Sequence, residues 1–389
     1  MGQIRYYRCS FTSIGQYFLG GEKTFPIDPK KQEHKKVYYI ASEDFPSQST
    51  IFGTIRFMLL EKAGLLNNGS ETSNSSSNGL RARQDALIGS DGFSMDKKDF
   101  CNSYGILKRI SPIFIYDKKS GNKLIPAPLN HKKREKKDSR NRVYEPLSMK
   151  YLEDVQTESG KAAFIPDNYD AKAGLSDGFL SLDRKNSLIR REEVIGTLTQ
   201  TRIARDLDEG GFFKMDYKYL KEEYAFSVMV EIEIPESTKD GAYEPFKNQG
   251  IVYMGMEKST FRYDVSEIGS TAFCELENDI KGIRMSDMDN IEVYYALSDC
   301  YKKKSIENSA LYWILQKTNL RTLEKQKGID YRSSMKKSRL YQMIRAGSVF
   351  YVQKGEQEEK AFLEQFDCPG LAQIGLNHIL KTGVIKDEQ

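Results

Sequence analysis

Near the middle of the chain, Tyr224 to Ile234 alternates so regularly that few folds can house it. Tyr224, Phe226, Val228, Val230, Ile232 and Ile234 fall on one side, and Ser227, Glu231 and Glu233 on the other. Successive side chains of a strand point to opposite faces, so this stretch predicts a strand in a sheet covered on one side. Arg5 to Phe11, Val37 to Ile40, Ile291 to Leu297 and Ser348 to Val352 are shorter strand candidates. From Ser49 onward, Ile51, Phe52, Ile55, Met58 and Leu59 recur at helical spacing until Gly64, where a glycine commonly ends a helix. Glu356 to Phe366 and Leu371 to Leu380 read as short helices. Several strands and few helices in each half predict an α+β protein, a duplicated unit with helices on one face of an antiparallel sheet. A length of 389 residues agrees with two domains. Asn67 to Gly79 (NNGSETSNSSSNG) is polar and of low complexity and predicts a disordered loop. Met149 to Ser187 mixes Gly, Pro, Asp and short apolar groups and is expected to separate the halves.

Several chemistries lack their residues. Cys9, Cys101, Cys274, Cys300 and Cys368 are scattered, with no Cys-x-x-Cys pair, so neither a zinc site nor a disulfide framework is indicated. There is no phosphate-binding Gly-x-x-x-x-Gly-Lys-Ser/Thr loop and no His-Glu-x-x-His. His34, His131 and His378 show no metal-ligand spacing. No cofactor is expected. The first residues carry no apolar core of signal-peptide length, and no run is long enough to span a bilayer. A soluble cytoplasmic protein without membrane contact is the expectation.

Net charge is only +4, but it is unevenly spread. His131 to Arg142 holds seven basic and two acidic residues, and Tyr301 to Arg345 holds twelve basic and three acidic ones. The rest of the chain carries 40 basic against 50 acidic residues. Positive charge gathered in this way is the footprint expected for a phosphate-backbone partner.

The segment Pro46-Ser47-Gln48-Ser49-Thr50-Ile51-Phe52-Gly53-Thr54-Ile55-Arg56 carries a second sign of that partner. Pro46 stops the preceding element, Ser49 and Thr50 are suited to cap a helix, and Gly53 permits close approach to its first turn. Free N–H groups and the helix dipole favour an anion there. The segment resembles the opening of the first helix in the RAMP superfamily of CRISPR RNA-binding proteins. Four more segments resemble one family within it, the third subunits of Cmr-type (type III-B) CRISPR effector complexes: Gly15 to Phe25, Ile110 to Leu129 with its Pro126-Ala127-Pro128 ending, Thr201 to Phe213, and Gly347 to Tyr351 followed by Ile374 to Asn377. The compact Gly-x-Gly loop near the C-terminus of many relatives is missing, a departure at Gly347.

The resemblance implies two tandem ferredoxin-like (RRM-like) domains with antiparallel sheets and loop insertions. The expected units are 1–148 and 199–389, with 149–198 as linker or insertion. It implies a non-catalytic ribonucleoprotein subunit for antiviral defence that holds the 5′ tag of the CRISPR RNA and joins the large polymerase-domain subunit to the RAMP backbone subunits. Target RNA would be met indirectly. Ser49, Thr50, Gly53 and Arg56 would seat a phosphate, and Gly347 and Ser348 would contact the RNA. Arg202, Arg205, Phe212 and Phe213 would combine phosphate contacts with base stacking, one of the two phenylalanines being expected in the core. Lys132, Lys133, Arg134, Lys336, Lys337 and Arg339 would supply outer charge. Two other readings stay open: a RAMP endoribonuclease that processes precursor CRISPR RNA, and the equivalent subunit of a sister type III complex.

Overall fold

The structure, a computed structural model, describes residues 2–20, 38–66, 74–131, 143–156, 162–167, 178–204, 211–235, 244–255, 257–286, 288–306, 309–325 and 335–383. The alternating stretch is the strand Tyr224–Ile234, third of the four strands at the centre of a nine-stranded sheet. The order runs Gln249–Tyr253, Thr260–Ile268, Gln3–Ser13, Tyr224–Ile234, then Phe114–Asp117, Lys123–Pro126, Phe179–Ser181 and Leu188–Ile189. Leu107–Ile110 pairs with the far half of Tyr224–Ile234. Register across the centre sets Phe11 against Phe226 and Tyr7 against Val230.

One face of this sheet presents Cys9, Phe11, Phe226, Val228 and Val230 to Ile51, Phe52, Ile55, Met58 and Leu59 of the helix Gln48–Lys62. Phe226 is wholly buried, with the rings of Tyr17, Phe45 and Phe261 around it at 5.3 to 6.3 Å. The other face was expected to meet solvent, yet Ser227 and Met229 are buried as well. A second apolar cluster covers it, in which Phe114 and Met229 pack with Phe273 and Leu276 of the helix Ala272–Lys281 and with Tyr295 and Tyr351. Only Glu231 and Glu233, at the far end, keep the half-covered pattern; they face Arg109 and Lys108.

Tyr295 and Tyr351 belong to a four-stranded sheet in the order Tyr312–Ile314, Val349–Gln353, Ile291–Ala296, Ile379–Thr382. Its winding repeats that of the first sheet's centre. Numbered along the chain within each unit, both run fourth, first, third, second, with antiparallel neighbours throughout. In the first unit the helix Gln48–Lys62 follows the first strand; in the second, Glu356–Leu363 follows the third.

The expected division at 148 and 199 does not follow these sheets. Gln3–Ser13 pairs with strands at 224–234 and 260–268, and Phe179–Ser181 and Leu188–Ile189, placed in the expected linker, extend the first sheet. Loop-closure cost grows only logarithmically with length, so long insertions between paired strands are tolerated. The expected loop 67–79 is helical from Asn74, within Asn74–Ile88, and its part 67–73 lies outside the described residues. The expected helix 371–380 is instead Pro369–Gln373 followed by the strand Ile379–Thr382. Between them Gly375 and Asn377 have φ of +87° and +55°, which no helix accommodates. Among the described residues no helix is long and apolar enough to cross a membrane.

Candidate nucleic-acid interface

The first helix begins two residues after Pro46, but its cap is neither Ser49 nor Thr50. Ser47 holds that place with extended φ and ψ, and its Oγ accepts from the Thr50 N–H at 3.2 Å. The hydroxyls of Ser49 and Thr50 lie 3.0 and 2.9 Å from the same oxygen. Gly53 is exposed, and a methyl added there would meet nothing within 4 Å, so this side of the helix is open to an outside molecule.

Arg56 does not join them. At 1.5 Å rise per residue it stands roughly 12 Å along the axis from the helix start. Its Nη2 donates to the Gly89 carbonyl at 3.2 Å and its guanidinium lies 5.2 Å from the Phe52 ring, tying the first helix to the end of Asn74–Ile88. Burial lowers its pKa. Arg56→Ala is therefore expected to cost about 1–2 kcal/mol of stability through the orphaned carbonyl. RNA affinity should stay unchanged; calorimetric melting beside a binding titration checks both. A variant of undiminished stability that binds RNA weakly would return Arg56 to the phosphate seat.

Distant segments converge where the first helix begins. Gln48 is buried and its Nε2 donates to the Ser111 carbonyl at 2.8 Å. Gly375 closes over this bond, and a Cβ there would come within 2.4 Å of Gln48 Nε2 and 2.5 Å of the Ser111 oxygen. Two residues on, Asn377 accepts from the Tyr301 N–H at 2.7 Å and donates back to the Tyr301 carbonyl at 3.0 Å. Pieces of the segments 46–56, 110–129 and 374–377 thus share one place.

The 347–351 segment meets the Pro126-Ala127-Pro128 ending instead. Gly347, at φ +94°, accepts from the Leu129 N–H at 2.9 Å, and Tyr295 donates to the Pro126 carbonyl at 2.7 Å. Gly347 and Ser348 are buried, and the Ser348 hydroxyl donates to the Arg345 carbonyl at 2.7 Å. Where contact with RNA was expected, the two residues build the buried loop that supports Pro126.

The Thr201 to Phe213 stretch is neither a simple turn nor a compact site. Ile195–Ala204 and Gly211–Leu220 form a long hairpin, with Tyr38–Ala41 added in parallel to the second strand. Arg202 is held in a two-pronged pair with Glu257, at 2.7 and 3.1 Å, while the Tyr217 hydroxyl donates to the same carboxylate at 2.6 Å. Burial and that carboxylate push the Tyr217 pKa up to about 12. Arg205, Lys132, Lys133 and Arg134 lie outside the described residues, as do the side chains of Phe212, Phe213 and Lys336. Lys337 and Arg339 are exposed.

At the hairpin's base sits a polar cluster that has no local signature. Asp44 pairs with Arg191 and lies 3.8 Å from Lys218, whose ammonium donates to Thr197 at 2.8 Å. Nearby in the chain, Glu43 faces Arg345 at 3.9 Å. Asp44, Arg191, Lys218 and Tyr301 were missed in the sequence, as were the contacts of Gln48 and Asn377 within their quoted motifs, because the partners named here lie 21 or more positions away. Gly375 had a signal, lying in a quoted motif, but its contact did not.

A family model described as CRISPR-associated protein (Cas_Cmr3) matches residues 16–382. The chain belongs to that family. Among curated protein sequences none matches significantly. A chain of the type III-B Cmr-beta complex bound to cognate target RNA and AMPPnP is 13% identical with a TM-score of 0.42, over 96% of this chain and 95% of that one. In the same complex bound to cognate target RNA the figures are 14%, 0.40, 96% and 96%. A chain of a Csm1-Csm4 cassette with pppApA is 12% identical with a TM-score of 0.29, over 90% and 87%.

Proposed function

We propose that this protein is a non-catalytic, RNA-binding subunit of a type III-B effector complex. It holds the 5′ tag of the CRISPR RNA and joins the large polymerase-domain subunit to the RAMP backbone. The observation that carries this reading is the convergence of Gln48, Ser111, Gly375 and Asn377 beside the exposed start of the first helix, since these segments are the ones that resemble the family's motifs. The shared fourth–first–third–second strand order supports two ferredoxin-like units, split as roughly 3–268 and 291–382 rather than at 148.

A non-catalytic role is supported by the histidines. His131 is buried with Nδ1 2.5 Å from the Pro128 carbonyl, and burial lowers the pKa of His378. His34 lies outside the described residues.

Nuclease footprinting of the CRISPR RNA in complexes assembled with and without this chain tests the reading. Protection of the 5′ tag should be lost when the chain is omitted, while the remainder stays protected. Equal protection of the tag in both complexes would overturn the tag-holding role. Site-specific cleavage of repeat RNA by the purified chain, without divalent metal, would instead support the endoribonuclease. Binding of single-stranded RNA by the chain alone should be weak and should weaken steeply with salt, because phosphate contacts release counterions.

A further inference from the structure

The basic segment 301–345 meets the short turn Met95–Lys97 in a cluster of cations and tyrosines. Arg339 lies with its guanidinium carbon 4.7 Å from the Tyr341 ring centre. Lys98 is 5.5 Å from the same ring and 4.9 Å from that of Tyr301. The two rings meet edge to face at 5.5 Å. The Tyr341 hydroxyl donates to Asp96 Oδ1 at 2.6 Å, and Lys98 and Lys303 each stand 3.4 Å from Asp99.

The layers have an inside and an outside. Tyr341 is only 4% exposed, so its faces are already covered, whereas Arg339 is exposed and outermost. Lys302, Lys303, Lys304 and Lys337 are exposed close by in the chain. We propose that this cluster is a stacking seat for single-stranded RNA: a nucleobase lies on the outer face of the Arg339 guanidinium, and flanking phosphates meet the surrounding lysines. The proposal rests on the RNA-binding reading and adds a place and a mode of contact to it.

The preformed geometry favours a base. A guanidinium is planar and stacks, while an ammonium is a point charge. Nucleobases stack on arginine planes as they do on aromatic rings, whatever their sequence. Tyr341, anchored by Asp96, supports the Arg339 guanidinium from its ring face before any ligand arrives, so little rotamer entropy remains to be lost on binding. Attraction of phosphates alone, or of an acidic protein surface, would not use the ring beneath the guanidinium.

Arg339→Lys keeps the charge and removes the plane, and an exposed position should leave folding intact, as melting would verify. The probe is a fluorescent single-stranded oligoribonucleotide of mixed sequence at low salt, paired with a fully abasic strand of equal length. The substitution should weaken binding of the base-bearing RNA about tenfold, within the range of one lost base stack, and leave the abasic strand unaffected. Equal affinity of wild type and Arg339→Lys for the base-bearing RNA overturns the stacking seat and leaves the RNA reading standing. The same loss on both strands also overturns it, in favour of a guanidinium contact to phosphate. Should Arg339→Lys and Arg339→Gln disturb assembly with protein subunits and not RNA binding, the cluster is a protein-docking surface. Failure of the folded wild type to bind either strand would overturn the RNA reading and the proposal together.

Discussion

Gly375→Ala is expected to destabilise the protein by about 3 kcal/mol, combining left-handed backbone strain with a buried clash. The residue sits at φ +87°, and the two atoms a methyl would strike, Gln48 Nε2 and the Ser111 carbonyl oxygen, are partners in a buried hydrogen bond. Neither can withdraw without breaking that bond. Urea unfolding of the purified chain measures the effect, and a loss below about 0.5 kcal/mol, the level of an ordinary surface change, would show that the loop relaxes freely. Because the same contact joins the first helix to the C-terminal turn, tag protection should fall in complexes carrying the variant. Gly53→Ala provides the contrast. It is a helical glycine with open space around it, so alanine should stabilise by about 0.5–1 kcal/mol. If RNA approaches the helix closely there, this more stable variant should nonetheless bind RNA less well. A gain in stability with unchanged binding would remove Gly53 from the interface.

Asp44→Ala is the second large effect expected, also about 3 kcal/mol, since removing one member of a buried ion pair leaves its partner desolvated. Asp44 is the carboxylate that Arg191 and Lys218 share, and the Lys218 side chain is only 8% exposed. The cluster fastens the hairpin Ile195–Ala204 and Gly211–Leu220 beside the start of the first helix, so early proteolysis of the hairpin should accompany the loss. Adding Lys218→Met should recover part of the stability, because an apolar chain of similar length needs no partner. A double variant no more stable than Asp44→Ala would place the cost in something other than Lys218.

Where a property depends on near neighbours, it was legible. The strand Tyr224–Ile234 was readable because one buried face imposes a period of two, and the helix after Pro46 because its apolar residues recur every three or four positions. Even here the local rule left a choice: three hydroxyl residues follow Pro46 within four positions, and only the backbone path selects Ser47 as the cap. Arg56 at helical spacing from Gly53 looked like part of an anion seat, yet Gly89, 33 positions away, binds it.

By itself, then, the chain determined its α+β character, its strand and helix stretches, its family motifs and the gathering of charge into two segments. Tertiary structure alone decided that the first strand would pair with strands more than 200 positions away, that the supposed linker would extend the first sheet, and that Gly347 and Ser348 would be buried. The division has a physical origin. Periodicity and capping are written within a turn or a strand, whereas register, partners and burial are settled by which surfaces exclude water together.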